Sequence, residues 1–297
     1  MNTATATRYE IDVEDIEYLR HGAKPLLARI YKPRGTGPFP VIVDLHGGAW
    51  TKKDRTSDVA TCEALAKNGI VTVALDFRMP PEAGYPASVT DANYAIRWCK
   101  ARAKELGSRP DMVGVLGVSS GGHQAALLAI RPNDARYAAL PVRAGAGASA
   151  GSSLDASVRC VILCWPVIDP LGRYEHAKKV IEGGGANAKQ AKDWIAAHDE
   201  YWVTEAAMAE GSPTIALERG EKGPTPPVLY LQGTADPAHP RPNLDRFVAA
   251  YRKAGGRVEL HLFEGMSQAF ITESPTHPHS LDALDKIVEF VHREIPA

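Results

Sequence analysis

The chain has no long apolar run, no paired cysteines and no surplus of either charge, and each absence removes a class of protein. Its 34 Lys and Arg stand against 35 Asp and Glu, a formal net charge of −1. That balance gives no basic face for nucleic acid and no acidic tail. No apolar stretch approaches the roughly 18 residues that a membrane span requires. The opening residues MNTATATRYEIDVED lack a basic segment followed by an apolar run, so no signal peptide is expected. The four cysteines, Cys62, Cys99, Cys160 and Cys164, show no zinc-like spacing. Cys160 and Cys164 share the run CVILCW, where residues four apart face one side of a strand. They read as buried free thiols of a cytoplasmic protein. What remains is ordinary globular material, 44% hydrophobic and 23% charged over 297 residues.

Along the chain a strand-then-helix theme repeats. The apolar runs VIVDL (41–45), IVTVALDF (70–77), MVGVLGVS (112–119), CVILCW (160–165), PVLYLQG (227–233) and RVELHLF (257–263) are mostly continuous rather than alternating. Continuous runs mark a parallel sheet covered on both faces. Helical spacing follows in Ala92, Ala95, Ile96, Cys99 and Ala103, and again in Leu244, Phe247, Val248 and Tyr251, where Gly255-Gly256 ends the helix. Leu281, Leu284, Ile287, Val288 and Val291 predict a last helix behind a Ser280 cap. The segments YEIDVEDIEYL and LLARIYKP predict an antiparallel pair at the sheet edge. The whole reads as a single α/β domain. Two segments break the alternation. Residues 131–157 contain RAGAGASAGSSL, which predicts a mobile surface loop. Residues 169–226 read as a small cap-like insertion, whose Trp194, Tyr201 and Trp202 either pack it onto the domain or line a pocket.

Chemistry enters at LGVSSGG (116–122), which follows a strand and opens the helix HQAALLAI. Gly117-Val118-Ser119-Ser120-Gly121 is a G-x-S-x-G elbow in the strand–turn–helix setting that exposes a nucleophilic serine. A second element, LHGGAW (45–50), places consecutive glycines after another strand, where backbone N–H groups can stabilise an oxyanion. A tight turn that needs glycine would look the same, and the conjunction with the elbow decides for the oxyanion hole.

HGGAW, then DFRMPPEAGYPASVTDANYAIRW (76–98), then GVSSGGH resembles the hormone-sensitive-lipase-like esterase branch of the α/β-hydrolases, over nearly the whole chain from about residue 26. The resemblance implies an α/β-hydrolase fold, a mostly parallel central sheet with helices on both faces and a small cap. It also implies Gly47, Gly48 and the N–H of Ser120 as oxyanion donors. Two residues depart from the branch's pattern: Val118 stands where it usually has Asp, and Ser120 where it has Ala. HGGAW with SSGGH is also similar to the kynurenine formamidases, which are arylformamidases. In LQGTADP (231–237) the resemblance implies Asp236 as the acid that orients the base. In GMSQAF, which aligns with a family segment of the form Gly-Met-Pro-His-x-Phe, it puts Gln268 where the histidine belongs.

Glutamine can donate to Asp236 and accept from Ser119, but it cannot take a proton. Ten histidines are present. His46 braces the glycine loop, His123 lies behind the elbow, His176 and His198 fall in the insertion, and His261 within a strand. His239 follows Asp236 by three residues, too close for bridging in the usual geometry. His277 and His279 reach Ser119 only if their loop folds back. The reading is a cytoplasmic serine hydrolase with Ser119, Asp236 and Gln268 at its centre, acting on a small neutral ester with an atypical base. The competing readings are a ligand-binding pseudo-hydrolase, as the gibberellin receptors of this branch are, and a dehydratase-like lyase. No cofactor, metal or nucleic acid is expected, and a homodimer is permitted.

Overall fold

The computed structural model describes residues 8–142 and 154–297. Within these residues eight strands form one sheet: β1 (Ile11–His21), β2 (Lys24–Pro33), β3 (Val41–Leu45), β4 (Val71–Leu75), β5 (Val113–Val118), β6 (Val161–Cys164), β7 (Val228–Gly233) and β8 (Val258–Phe263). Their spatial order is β1-β2-β4-β3-β5-β6-β7-β8. The first two strands pair antiparallel, as does β2 with β4, and every later pairing is parallel. The helices are α1 (Val59–Lys67), α2 (Ala87–Ala101), α3 (Ser120–Ile130), α4 (Pro170–Gly183), α5 (Ala188–Trp202), α6 (Glu205–Glu210), α7 (Pro213–Glu218), α8 (Arg241–Lys253), α9 (Phe270–Glu273) and α10 (Pro278–Glu294). This is the α/β-hydrolase architecture.

The strand period of two builds two cores. Val41, Val43 and Leu45 of β3 enter one apolar cluster with Val113, Val115, Val161, Leu163 and Tyr230. Ile42 enters the opposite cluster with Leu116, Ile162, Leu229 and Leu231. Both faces are covered, so both residue parities are apolar, and each fully buried aliphatic side chain contributes about 1.5–3 kcal/mol. The exposed edge strand β1 is charged instead, with Asp15 bound to Arg29 and Asp12 to Arg34, which blunts further pairing.

The stretch without strands, between β6 and β7, is four helices, α4 to α7. Trp50, Val167, Tyr201, Trp202 and Met208 form their own cluster, with the Trp50 and Tyr201 rings stacked at 5.2 Å. Tyr201 and Trp202 therefore pack this segment onto the HGGAW loop, whereas Trp194 faces a cleft. Helix α10 starts one turn differently from the sequence expectation. His277 is its cap, and Ser280 lies inside, its hydroxyl donating to the Phe270 carbonyl at 3.0 Å. All four cysteines are buried and free. No helix among the described residues is long and apolar enough to cross a membrane. Of the loop expected over 131–157, residues 143–153, nearly all of RAGAGASAGSSL, lie outside the described residues.

Candidate active site

Ser119 sits between β5 and α3 with φ 51° and ψ −112°, a left-handed conformation that L-residues rarely adopt. Three backbone bonds hold it there: Ser119 N–H to Cys164 O (2.9 Å), Val167 N–H to Ser119 O (2.9 Å) and His123 N–H to Ser119 O (3.2 Å). The turn is so tight that a Cβ on Gly117 would run into the Gly121 carbonyl, and one on Gly121 into the Leu45 carbonyl. The G-x-S-x-G spacing is thus a packing requirement.

The glycine loop follows β3. A Cβ on Gly47 would lie 3.3 Å from Ser119 Cβ, so this backbone passes directly against the serine. Gly48 has φ 102° and accepts from the N–H groups of Thr51 and Lys52, closing the turn. The loop is pinned to the elbow by Trp50 N–H, which donates to Ser120 Oγ at 3.1 Å. His46 lies beneath, stacked on Phe77 and bonded through Nδ1 to Gly47 O at 2.7 Å. Burial pulls its pKa down to about 4, so it braces the loop as a neutral ring. Trp50 Nε1–H donates to His123 Nδ1 (3.2 Å), whose Nε2–H donates to Gly211 O (2.8 Å). That ring too is held near 4 by burial.

The loop after β7 corrects the sequence reading of His239. Ser119 Oγ lies 3.2 Å from His239 Nε2, and His239 Nδ1 lies 2.7 Å from Asp236 Oδ2. Three residues of separation suffice because the carboxylate acts on both sides. Asp236 Oδ1 accepts the N–H groups of Ala238 (2.8 Å) and His239 (3.2 Å), closing a turn that swings the imidazole back over Oδ2. Burial pushes the Asp236 carboxyl up. The imidazole's charge and hydrogen bond, with the two backbone donors, outweigh this and hold it below the usual carboxylate range. The Asp236 side chain is fully buried and the His239 ring 3% exposed. The available signal was DPAHP itself, an Asp at a strand end with a histidine inside the turn it caps.

Gln268 does not occupy the imidazole slot. It lies on the wall of the cleft that contains Ser119, and the bonds to Ser119 and Asp236 are made by His239 instead. Its segment passes beside the acid loop, where Ala235 N–H donates to Met266 O at 3.0 Å. His277 and His279 are tied up at the start of α10, the N–H of His279 donating to His277 Nδ1 and its ring packing on Phe263. His198 bonds to Trp194 O and is buried, which pulls it down to about 3.

The cleft encloses about 330 Å³ and takes in Gly47, Gly48, Ser119, Trp165, Trp194 and Gln268. A small neutral ester was the expected substrate. The cleft walls nonetheless include Lys52, Lys53, Arg173, Asp193 and Glu273. Among the described residues no group of three His, Cys, Asp or Glu side chains is placed to hold a metal.

Comparison with known proteins agrees with this architecture. The BD-FAE family profile matches residues 29–247. The carboxylic ester hydrolase LipN of Mycobacterium tuberculosis is 36% identical over 269 residues, which is 88% of this chain and 65% of LipN. Carboxylesterase NlhH of the same organism is 35% identical over 123 residues, 40% of this chain and 38% of NlhH. The chain thus spans less than two thirds of the length of these curated relatives. Among solved structures, the Thermogutta terrifontis esterase Est2 with propionate bound is 26% identical, with a TM-score of 0.72, covering 96% of this chain and 94% of that one. The carboxylesterase EstE1 from a metagenomic library has a TM-score of 0.77 at 23% identity, covering 98% and 92%.

Proposed function

Because this chain belongs to the BD-FAE family, we propose that it is a serine hydrolase cleaving a small carboxylic ester, with Ser119 as nucleophile, His239 as general base and Asp236 as the acid that orients it. The observation that carries the reading is the unbroken chain from Ser119 Oγ to His239 Nε2 (3.2 Å) and from His239 Nδ1 to Asp236 (2.7 Å). Asp236 accepts a hydrogen bond from Nδ1–H, which fixes the tautomer and leaves Nε2 free to take a proton from the serine hydroxyl. As that proton moves to Nε2, Oγ attacks the ester carbonyl. The carbonyl oxygen becomes an oxyanion facing the N–H groups of Gly47, Gly48 and Ser120. The tetrahedral adduct collapses, the alcohol leaves with the Nε2 proton, and an acyl-serine remains. Water, deprotonated by the same imidazole, then releases the acid and regenerates Ser119.

The buried imidazole suits this cycle because Asp236 stabilises the imidazolium that forms in both halves. Preorganised donors fit the reading: the glycine backbone is already folded against Ser119, and α3 begins at Ser120, directly after the nucleophile. The ligand-binding and lyase readings drew their force from a vacant base position, and His239 removes that ground. We read the helices of residues 169–226 as a cap, since Trp194 and Arg173 from this segment wall the cleft.

The experiment is hydrolysis of p-nitrophenyl acetate and butyrate, paired with trapping of Ser119 by an alkyl fluorophosphonate. Turnover that disappears in Ser119→Ala, together with a mass adduct on Ser119, supports the reading. Tight binding of the esters without turnover, in protein that also fails to form the adduct, would falsify it.

A further inference from the structure

The acid–base loop is short, carries two of the three proposed catalytic groups, and has its backbone carbonyls taken up by side chains in an unusual way. Gln232 Nε2, from β7, donates to His239 O at 2.7 Å. Arg173 Nε–H donates to Ala238 O at 3.0 Å, and His176 Nε2 lies 3.3 Å from Pro237 O. Three successive carbonyls, 237 to 239, are thus captured, two of them by residues three apart on one face of α4.

Arg173 is also an odd residue to find there. It is 3% exposed, and its Nη1 is buried with no hydrogen-bond partner among the described residues. Asp169, four residues earlier on the same segment, does not pair with it. That carboxylate accepts from Ser212 Oγ (3.0 Å) and Arg246 Nη1 (2.7 Å) instead. The guanidinium stacks on Trp194, 5.2 Å from the ring centroid, and the carboxylate whose charge acts on it is Asp236. Burying a cation without a bonded carboxylate is costly for stability alone. Among the described residues, its one side-chain hydrogen bond is to the loop that carries His239.

Resting on the triad reading above, we propose that Arg173 is a positioning residue for His239. Together with His176 it lets α4 grip the Asp236–Pro240 loop, so that the imidazole stays within reach of Ser119. The need for such a grip follows from the topology. When acid and base come from different loops, each loop is anchored by its own strand and helix. Here one five-residue turn carries both, and any shift of its backbone moves the base relative to a serine held on the opposite side of the site. Small displacements of this kind cost large factors in rate.

Arg173→Lys is the sharp test. It keeps the charge and most of the packing but puts a methylene where the Nε–H was, so the bond to Ala238 O is lost. Turnover of p-nitrophenyl acetate is expected to fall roughly tenfold, with KM within about twofold of the parent, since lysine keeps the charge that Arg173 presents to the cleft wall. In a His239→Ala background the same change is expected to alter the residual rate by less than about twofold, because a residue acting through His239 has nothing left to position. His176→Ala, at a half-buried position that fills no core, is expected to lower kcat by about threefold in the same His239-dependent way.

A folded Arg173→Lys protein with unchanged kcat overturns the proposal. So does an equal loss in the His239→Ala background, which would mean a general structural effect. Should Arg173→Lys fail to fold, His176→Ala decides, and unchanged kcat there overturns it. Failure of the triad reading looks different: the parent protein would lack Ser119-dependent turnover, or His239→Ala would retain it.

Discussion

Replacing His239 by alanine separates the base seen in the structure from the one suggested by alignment. The imidazole is 3% exposed, 3.2 Å from Ser119 Oγ and 2.7 Å from Asp236. Without it, Ser119 has no proton acceptor in bonding range among the described residues, and the Gln268 amide on the cleft wall cannot supply one. Loss of the histidine from such a unit costs up to about 10⁶ in turnover, as measured for subtilisin. A fall of 10⁴ to 10⁶ here corresponds to roughly 5–8 kcal/mol at about 1.36 kcal/mol per factor of ten. Folding should suffer far less, by about 1–3 kcal/mol, because Asp236 loses one hydrogen bond but keeps those from Ala238 and residue 239. The assay is initial-rate hydrolysis of p-nitrophenyl butyrate near neutral pH, with thermal unfolding run in parallel. Gln268→Ala and Gln268→His serve as the contrast. Both should stay within about tenfold of the parent, since neither touches the Ser119–His239–Asp236 chain. A His239→Ala protein that keeps more than about a tenth of parental turnover refutes the assignment. So does a Gln268→His protein that gains a hundredfold.

Two further outcomes test the frame around the site. Gly121→Ala should abolish activity and cost at least about 3 kcal/mol, because its Cβ would run into the Leu45 carbonyl beneath the elbow; near-parental unfolding and turnover would contradict that packing. Stability should also fall on acidification from about pH 6.5 towards 4. His46 and His123 titrate near 4 in the native state and His198 near 3, against roughly 6.5 when unfolded, so the unfolded chain binds more protons in this window. Asp58, pushed up to about 6 by burial, and Asp44, also raised by burial, act in the opposite sense and offset part of the loss. The unfolding midpoint measured by calorimetry should drop by about 5 °C or more between pH 7 and 5. A flat or rising midpoint would mean that these rings are not held neutral.

Much of this protein was written locally in the chain. Runs such as VIVDL and VLYLQG are apolar at both parities, and only a sheet covered on both faces buries both, so the parallel core was legible before any contact was known. The elbow was equally plain, because Gly117 and Gly121 answer to backbone clashes within a few residues or against the neighbouring strand. The identity of the base was not. It depends on how one carboxylate divides its two oxygens between the backbone of Ala238 and His239 and the ring of His239. Sequence separation says nothing of that division. Alignment with GMSQAF pointed to Gln268 because it assumes that a side chain's job travels with its position along the chain. The role of Arg173 was hidden for a similar reason: the helix that carries it and the carbonyl it holds are 65 residues apart. Elements formed by short-range periodicity and steric necessity were fixed by sequence alone. The proton path was decided by long-range packing, which brings β5, the β7 loop and α4 to one point.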